Sequence, residues 1–154
     1  MGDVMATYKA RGVETVAFGD LFLEDLRAYR ERNLAKADMR GIFPLWKRNT
    51  AQLALEVIAL GFKSYLSCVE GKVGPGFVGR PYDQNLLAAL PPGIDPCGEY
   101  GEFHTFVYDG PIFRRPVTVR VGDIVMRDGR HYADLLPEQI GRGGATEVPV
   151  MPRV

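Results

Sequence analysis

Apolar positions along the first third of the chain alternate between the spacing of a strand and that of a helix. Residues 13–18 are mostly apolar or β-branched, which predicts a buried strand. In the segment 24–37 that follows, Leu26 and Leu34 continue from Leu23 at helical intervals, which predicts a helix with one apolar face. The first unit is therefore a strand followed by a helix.

The same unit then recurs. Residues 41–46 read as a short strand, residues 51–60 as a helix with Thr50 as its N-cap, and residues 62–69 as a third strand. Strands that alternate with helices are typical of parallel sheets with right-handed crossovers. The pattern predicts an α/β fold, with a partial parallel sheet and flanking helices.

The composition of the chain changes after residue 69. Glycine and proline crowd residues 71–81, which we interpret as a flexible lid or substrate loop. Asp83 can cap a short helix that runs to residue 90. Strands are predicted at 103–108, 117–121 and 124–126, and Asp128-Gly129 is a strong hairpin turn. An antiparallel element therefore closes a domain of residues 1–136, and residues 137–154 are expected to form a flexible tail.

The composition argues against several classes of protein. The 154 residues carry 19 basic and 19 acidic side chains, so net charge gives no reason to expect broad binding to nucleic acid or membranes. Two cysteines do not make a disulfide framework, and no secretion signal precedes the first strand. We expect a cytoplasmic protein with reduced thiols.

The densest chemistry lies in residues 95–105, which we call the signature loop. It combines a thiol, carboxylates, an imidazole and a hydroxyl, and its glycines allow a backbone to approach a ligand closely. Each side chain also has a structural interpretation, such as a small buried cysteine, a hydrogen-bonded histidine or a solvated carboxylate edge. The candidate residues are Cys97, Gly98, Glu99, Gly101, Glu102, His104 and Thr105.

Two further candidates stand where predicted strands end. Asp20, with Glu24 just beyond it, follows the first strand, and Trp46 closes the second. Ligands in parallel sheets bind at the carboxyl ends of strands. Asp20 could instead cap the following turn, and Trp46 could belong to the core.

These segments together resemble the diphthine–ammonia ligase-like family. The similarity begins at residues 16–25 and 27–31 and continues through residues 41–46. It is most specific in Asp95-Pro96-Cys97-Gly98-Glu99 and in the run from Gly101 to Phe113. It extends over residues 12–135. The family belongs to the PP-loop ATP pyrophosphatases, whose Rossmann-like fold is that of the adenine nucleotide alpha-hydrolases.

The resemblance implies an ATP-dependent amide ligase. ATP and Mg²⁺ would adenylate a carboxylate on a small molecule or a protein, and ammonia would then displace AMP. For the enzyme that names the family, the carboxylate belongs to diphthine on elongation factor 2. The resemblance makes Glu99, Glu102, His104 and Cys97 the expected catalytic residues. It implies substrate contacts from Gly98, Gly101, Thr105, Asp20, Glu24 and Trp46. No residue is assigned as a metal ligand.

Two departures from the family pattern stand out. Tyr100 replaces the asparagine usual in the signature loop, and an amide's paired hydrogen bonds cannot be made by tyrosine. The family's Ser-Gly-Gly-Lys-Asp-Ser loop, which cradles ATP phosphates, does not occur in these 154 residues. We therefore expect a chain inactive alone: a fragment, half of a split protein, or a module that lost catalysis. An uncovered sheet edge would favour a homo-oligomer.

Two other functions fit the same residues. The chain could be a non-catalytic module that binds a protein or a small acid through the signature loop. A metal-dependent hydrolase could instead use Glu99, Glu102 and His104, although zinc sites normally show paired Cys or His spacings.

Overall fold

The computed structural model describes residues 2–138. The tail predicted for residues 137–154 therefore lies outside the described residues from position 139 onward, whereas Pro137 still belongs to a strand. In chain order the elements are α1 (Gly2–Ala10), β1 (Thr15–Ala17), α2 (Glu24–Ala35), β2 (Arg40–Ile42), α3 (Thr50–Ala59), β3 (Lys63–Glu70), a 3₁₀ turn (Pro75–Phe77), α4 (Gln84–Ala89), β4 (Phe103–Asp109), β5 (Val119–Arg127) and β6 (Arg130–Pro137).

The first two strands form a parallel pair, with α2 as the crossover between them. Thr15 pairs with Arg40 and Ala17 with Ile42. Glu24 and Asp25 occupy the first turn of α2, where carboxylates interact favourably with the helix dipole. This unit, together with a separate antiparallel sheet, confirms the α/β class, although each parallel strand has three residues and is only partly buried.

The third predicted strand exists but does not join the parallel sheet. β3 pairs antiparallel with β4 and with β6, in a four-stranded sheet of order β4-β3-β6-β5. Its side chains explain why. Ser64 and Leu66 are buried while Lys63 and Tyr65 on the opposite face are not, an alternation typical of antiparallel sheets that cover one face.

The hairpin at the end of the sheet is as predicted. Asp128 and Gly129 both take positive φ values, 49° and 75°, and Arg127 pairs with Arg130 across the turn. The two strands predicted before it are one continuous strand, β5, whose pairing with β6 is irregular between Val121 and Ile124.

Helices α3 and α4 begin at side-chain caps. Asp83 accepts a hydrogen bond from the N–H of Leu86 at 2.8 Å, as predicted, but the cap of α3 is Asn49 rather than Thr50. Leu86 brings α4 onto the face of the sheet that carries the main core. That core consists of Leu66, Val69, Val73, Val78, Leu86, Phe103 and Ala133.

The glycine-rich segment is not a lid. Val73 and Val78 are buried in the core, and the segment runs beside β3, since Gly79 N–H donates to Leu66 O at 2.7 Å. The buried side chains of these two valines hold the segment to the sheet. The high glycine content suggested a flexible segment and gave no sign of this packing. None of the helices described between residues 2 and 138 has the length and apolar character needed to cross a bilayer.

Candidate functional site

The signature loop meets the carboxyl end of β1. Glu99 Oε1 accepts hydrogen bonds from the backbone N–H groups of Leu21, at 2.7 Å, and Phe22, at 3.4 Å. The ring of Phe22 lies 5.1 Å from that of Tyr100, centroid to centroid. Glu99 is therefore held just beyond the carboxyl end of a parallel strand.

Asp95 sets the conformation of the loop that presents Glu99. Its Oδ1 atom accepts hydrogen bonds from the N–H of Cys97 at 2.9 Å and of Glu99 at 3.3 Å. A short carboxylate that binds the backbone two residues ahead forms an Asx turn, which fixes the direction of the chain. The direction of the Glu99 side chain thus depends on Asp95.

Glu102 is turned into the protein. Its side chain is 1% exposed, and its two oxygens accept hydrogen bonds from the backbone N–H of Asp95 at 3.1 Å and of Tyr100 at 3.0 Å. A carboxylate bonded in this way ties the start of the signature loop to its middle. A catalytic role for Glu102 stays a prediction, and its contacts favour a role in positioning.

A cleft of about 390 Å³ lies between the signature loop, α3 and the sheet. Glu99, Cys97 and Thr105 line it together with Leu21, so the cleft joins the loop to the end of β1. Apolar side chains make up most of the remaining wall; they are Leu45, Leu53, Val57, Phe62, Phe103 and Val107.

The thiol of Cys97 faces this cleft but is not activated. Its Sγ donates to the carbonyl oxygen of Thr50 at 3.3 Å. Burial, and then the nearby carboxylates of Asp95 and Glu99, raise the pKa of Cys97 to about 11. Nucleophilic cysteines require a lowered pKa, so the structure gives this thiol the character of a neutral hydrogen-bond donor at pH 7.

This raised pKa has a measurable consequence. At pH 8 we expect iodoacetamide to alkylate Cys97 at least about tenfold more slowly than a free peptide cysteine, because the thiolate is the reactive form. The rate should then rise steeply as pH approaches 11. Peptide mass spectrometry of pH-dependent alkylation measures this, with the urea-unfolded chain as control. Equal rates at pH 8 in both states would contradict it.

His104 and Thr105 point to different faces of β4. Side chains alternate along a strand, and Phe103 and Thr105 both line the cleft. His104, which lies between them in β4, is exposed on the opposite face. Its predicted catalytic role therefore has no support from the cleft, whereas Thr105 is placed to contact a ligand there.

Asp20 and Glu24 are engaged in ion pairs. Asp20 is 8% exposed, its Oδ2 accepts a hydrogen bond from Arg30 Nε at 2.6 Å, and it is not among the residues that line the cleft. Glu24 lies on the surface, 3.3 Å from Lys47 Nζ. Their substrate-binding roles stay predictions, and the contacts favour local structure.

Trp46 belongs to an aromatic cluster beside the cleft. Its ring lies 6.0 Å from that of Phe43 at a steep angle, and the guanidinium of Arg27 lies over both rings at 4.8 and 4.6 Å. The backbone N–H of Lys47 donates to Leu21 O at 2.7 Å, which ties this cluster to the loop that Glu99 contacts. Trp46 is not among the residues that line the cleft, so a substrate contact from its ring stays a prediction.

Sequence reasoning missed several groups of the site. The paired N–H groups of Leu21 and Phe22 carry no side-chain signal, and Ser64 gives none because it is a buried serine within a strand. Asp95 could have been found, since Asp followed two residues later by a turn is an Asx-turn signal. Tyr82, whose hydroxyl donates to Pro96 O at 2.7 Å, had no sequence signal either.

Metal ligands do not converge in the part of the chain that is described. Between residues 2 and 138, no three His, Cys, Asp or Glu side chains are close enough to hold an ion together. Glu102 faces inward and His104 lies on the far face of β4, so the three residues of the proposed hydrolase point in different directions. The hydrolase alternative therefore gains no support from geometry.

Comparisons with a family model and with curated proteins point to the same family. A family model described as the diphthamide synthase C-terminal domain matches residues 49–135, more than half of the chain. The diphthine–ammonia ligase of Bos taurus is 28% identical over 128 residues, covering 79% of this chain and 48% of that protein. The enzyme of the same name from Mus musculus is 27% identical over 143 residues, covering 84% and 51%. The chain thus spans about half the length of the curated relatives it matches.

Proposed function

The chain belongs to the diphthamide synthase C-terminal domain family, and from this premise we propose that it supplies the acceptor side of an amide-forming ligase. The acceptor would be a carboxylate and the nitrogen donor ammonia, as in diphthine–ammonia ligase. The observation that carries the proposal is the contact between Glu99 and Leu21 N–H above a cleft that the signature loop completes. We propose residues 1–136 as the domain that does this.

The cleft is unsuited to the phosphates of ATP. No Lys, Arg or His is among the described residues that line it, and the N–H groups of Leu21 and Phe22 are bonded to Glu99. Triphosphates are held by free loop N–H groups and cations. Bound ATP would activate the carboxylate, and ATP with its Mg²⁺ requires a site other than this cleft, such as the family's Ser-Gly-Gly-Lys-Asp-Ser loop.

The residues around the cleft fall into two groups: those that can contact a ligand and those that position or surround them. Glu99 and Thr105 can contact an acceptor or its nitrogen donor. Asp95 and Glu102 act through Glu99, since their hydrogen bonds set the path of the loop. Cys97 contributes a neutral wall, because its pKa of about 11 keeps the thiol protonated at pH 7.

The test supplies the phosphate-binding part. The chain is combined with a polypeptide that carries the family's Ser-Gly-Gly-Lys-Asp-Ser segment, and AMP release is measured with ammonia and diphthine as the first acceptor. We expect release that depends on both substrates and falls at least about tenfold in Glu99→Ala, because an interaction made at the reacting groups is lost.

Glu14→Gln is the matched control for this assay. Glu14 is an exposed glutamate whose nearest cation, Arg40, is 4.0 Å away, so its neutralisation should leave AMP release unchanged. If no combination of polypeptides and acceptors releases AMP, or if Glu99→Ala releases it at the full rate, the assignment is wrong.

A non-catalytic binding module is the second candidate. The observation that favours it is that the cleft and its loop are built within this chain without a phosphate loop. This function predicts that acceptor ligands stabilise the chain thermally with no ATP present. Ligand stabilisation without AMP release in the completed enzyme would favour the module over the ligase.

A further inference from the structure

The face of the antiparallel sheet that is turned away from the cleft carries a row of aromatic side chains. Alternate residues of β4 from Phe103 to Val107 line the cleft, so His104, Phe106 and Tyr108 lie on the opposite face. Tyr65 of β3 pairs with Phe106, and its ring stacks on that of Tyr108, with 4.8 Å between the ring centroids. We call these four side chains, at positions 65, 104, 106 and 108, the aromatic face.

The aromatic face is open to solvent. Phe106 is 37% exposed, His104 is exposed, and Tyr65 and Tyr108 are half-buried. The main core, to which α4 contributes Leu86, lies on the other side of the sheet. Antiparallel sheets that leave one face in water usually place polar side chains there. A row of exposed rings is instead typical of an interaction surface.

Unpaired carboxylates do not occur on the two strands that carry the aromatic face. β3 and β4 contain two acidic side chains, Glu70 and Asp109, and each takes part in an ion pair. Asp109 lies 2.9 Å from Lys63 Nζ, and Glu70 is bonded to Arg130. A polyanion that follows these strands would therefore meet no negative charge without a counter-ion.

Two free cations stand at the end of the aromatic face where β4 stops. Arg114 and Arg115 lie in the loop of residues 110–118, which contains no acidic residue. The N–H of Val117 donates to Tyr108 O at 2.8 Å, so this loop returns to the last ring of the row. Both arginines are exposed, and no acid among residues 2–138 is within ion-pair distance of either. They are therefore available to an anionic ligand.

Flat rings beside free arginines match the chemistry of a single-stranded nucleic acid. Unpaired bases stack on aromatic side chains, arginine binds phosphate, and antiparallel sheets can serve as platforms for this stacking. From His104 to Tyr108 the strand extends about 14 Å, which is enough for two to three bases. An apolar protein segment would need neither ring faces nor cations, so the pairing of the two favours the nucleic acid.

We propose that the aromatic face binds single-stranded nucleic acid, with bases stacked on Phe106 and its neighbouring rings and with Arg114 and Arg115 on the phosphates. The chain has 19 basic and 19 acidic side chains, so long-range attraction is absent and binding is confined to this face. The face is separate from the cleft. The proposal therefore adds a second binding function and does not depend on the ligase assignment.

Three probes of equal length test the proposal by fluorescence anisotropy on the full chain at low salt. They are an oligothymidine of about twelve nucleotides, an abasic deoxyribose-phosphate strand, and a duplex. We expect saturable binding of oligothymidine and at least about tenfold weaker binding of the other two, because neither offers free base faces. An oligouridine of the same length is compared in parallel. A preference for either single strand supports the site and identifies the strand as RNA or DNA.

Phe106→Leu and Phe106→Tyr separate ring stacking from apolar contact. Leucine keeps an apolar side chain without a ring face, whereas tyrosine keeps the ring. We expect Phe106→Leu to bind oligothymidine at least about fivefold more weakly and Phe106→Tyr to bind it unchanged. Tyr29→Leu is the matched control, since Tyr29 is a 51% exposed aromatic residue of α2. If Phe106→Leu does not fold, the ranking of the probes on the unsubstituted chain decides.

The double variant Arg114→Gln/Arg115→Gln tests the phosphate contacts. Binding should weaken, and the slope of log affinity against log salt concentration should become shallower by about 1.4, since two phosphates lose their cations. Arg11→Gln/Arg32→Gln removes the same charge from two exposed arginines outside this face and should leave the slope unchanged. An equal change of slope in both double variants would contradict phosphate contacts at Arg114 and Arg115.

The proposal is overturned if neither single strand binds saturably, if the abasic strand binds as tightly as oligothymidine, or if Phe106→Leu binds as tightly as the unsubstituted chain. Sedimentation equilibrium tests whether a second copy of the chain occupies the face instead. A dimer that Phe106→Leu dissociates, with no oligonucleotide bound, would replace the proposal. AMP release is measured separately, because its success or failure leaves this result unchanged.

Discussion

Replacing Glu102 with alanine is expected to lower the free energy of unfolding by about 3 kcal/mol. The side chain is 1% exposed, and it is among the largest fully buried side chains of the described residues. Its oxygens accept hydrogen bonds from the N–H groups of Asp95, at the start of the signature loop, and Tyr100, at its middle. Alanine would leave both donors without a partner away from water and open a cavity beneath them.

Urea denaturation, followed by circular dichroism, measures this loss. The stability of Glu102→Gln should lie between those of the unsubstituted chain and Glu102→Ala. The amide oxygen of glutamine can still accept one hydrogen bond, but its NH₂ group faces a backbone donor. Glu14→Ala serves as the surface control and should change stability by less than about 0.5 kcal/mol. A loss below about 1 kcal/mol for Glu102→Ala would show that the loop does not depend on this carboxylate.

The sequence singled out the signature loop but did not show which of its carboxylates faces the cleft. Glu99 and Glu102 stand three residues apart in a loop, where no regular periodicity relates position to direction. The structure separates them because Gly98 and Gly101 both take positive φ and reverse the chain twice. Such turns depend on contacts with Phe103 and β1 that a single sequence does not display.

Local signals were read more reliably than long-range pairing. The Asp128-Gly129 turn and the Asp83 cap each depend on neighbours within four residues, and both are present. The pairing of β3, by contrast, involves β4 and β6, which lie more than thirty residues away in the chain. The alternation of buried Ser64 and Leu66 with exposed Lys63 was the available signal for an antiparallel strand, and the strand–helix repeat obscured it.

The candidate substrate-binding residue Asp20 also depends on a contact that the sequence does not reveal. Asp20 was a reasonable candidate because it follows a strand, yet Arg30, one helical segment away, takes its carboxylate. Arg30 also lies 4.5 Å from the ring of Phe18, so the ion pair is built into the packing of α2 against β1. Only knowledge of the position of α2 distinguishes a buried ion pair from a ligand.

Gly98 is expected to be the most sensitive glycine of the signature loop. It has φ of +68°, and a Cβ atom placed there would lie 3.0 Å from the backbone oxygen of Phe103 and 3.1 Å from its ring. Gly101 has a similar φ of +80°, but a Cβ atom there would meet nothing closer than Arg130 Nη2, at 3.9 Å. The two positions therefore share backbone strain and differ in crowding.

Alanine at each position isolates the effect of crowding on the cleft. Gly101→Ala should cost about 1 kcal/mol from the positive φ alone, and Gly98→Ala about 2–3 kcal/mol because Phe103 must also move. Phe103 lines the cleft, so Gly98→Ala should also lower AMP release in the completed enzyme, whereas Gly101→Ala should not. Urea denaturation measures the loss of stability, and the AMP-release assay measures the effect on the cleft. Equal losses in the two variants would mean that the loop moves away from Phe103 freely, which would contradict a cleft wall held by the packing of Gly98 against that residue.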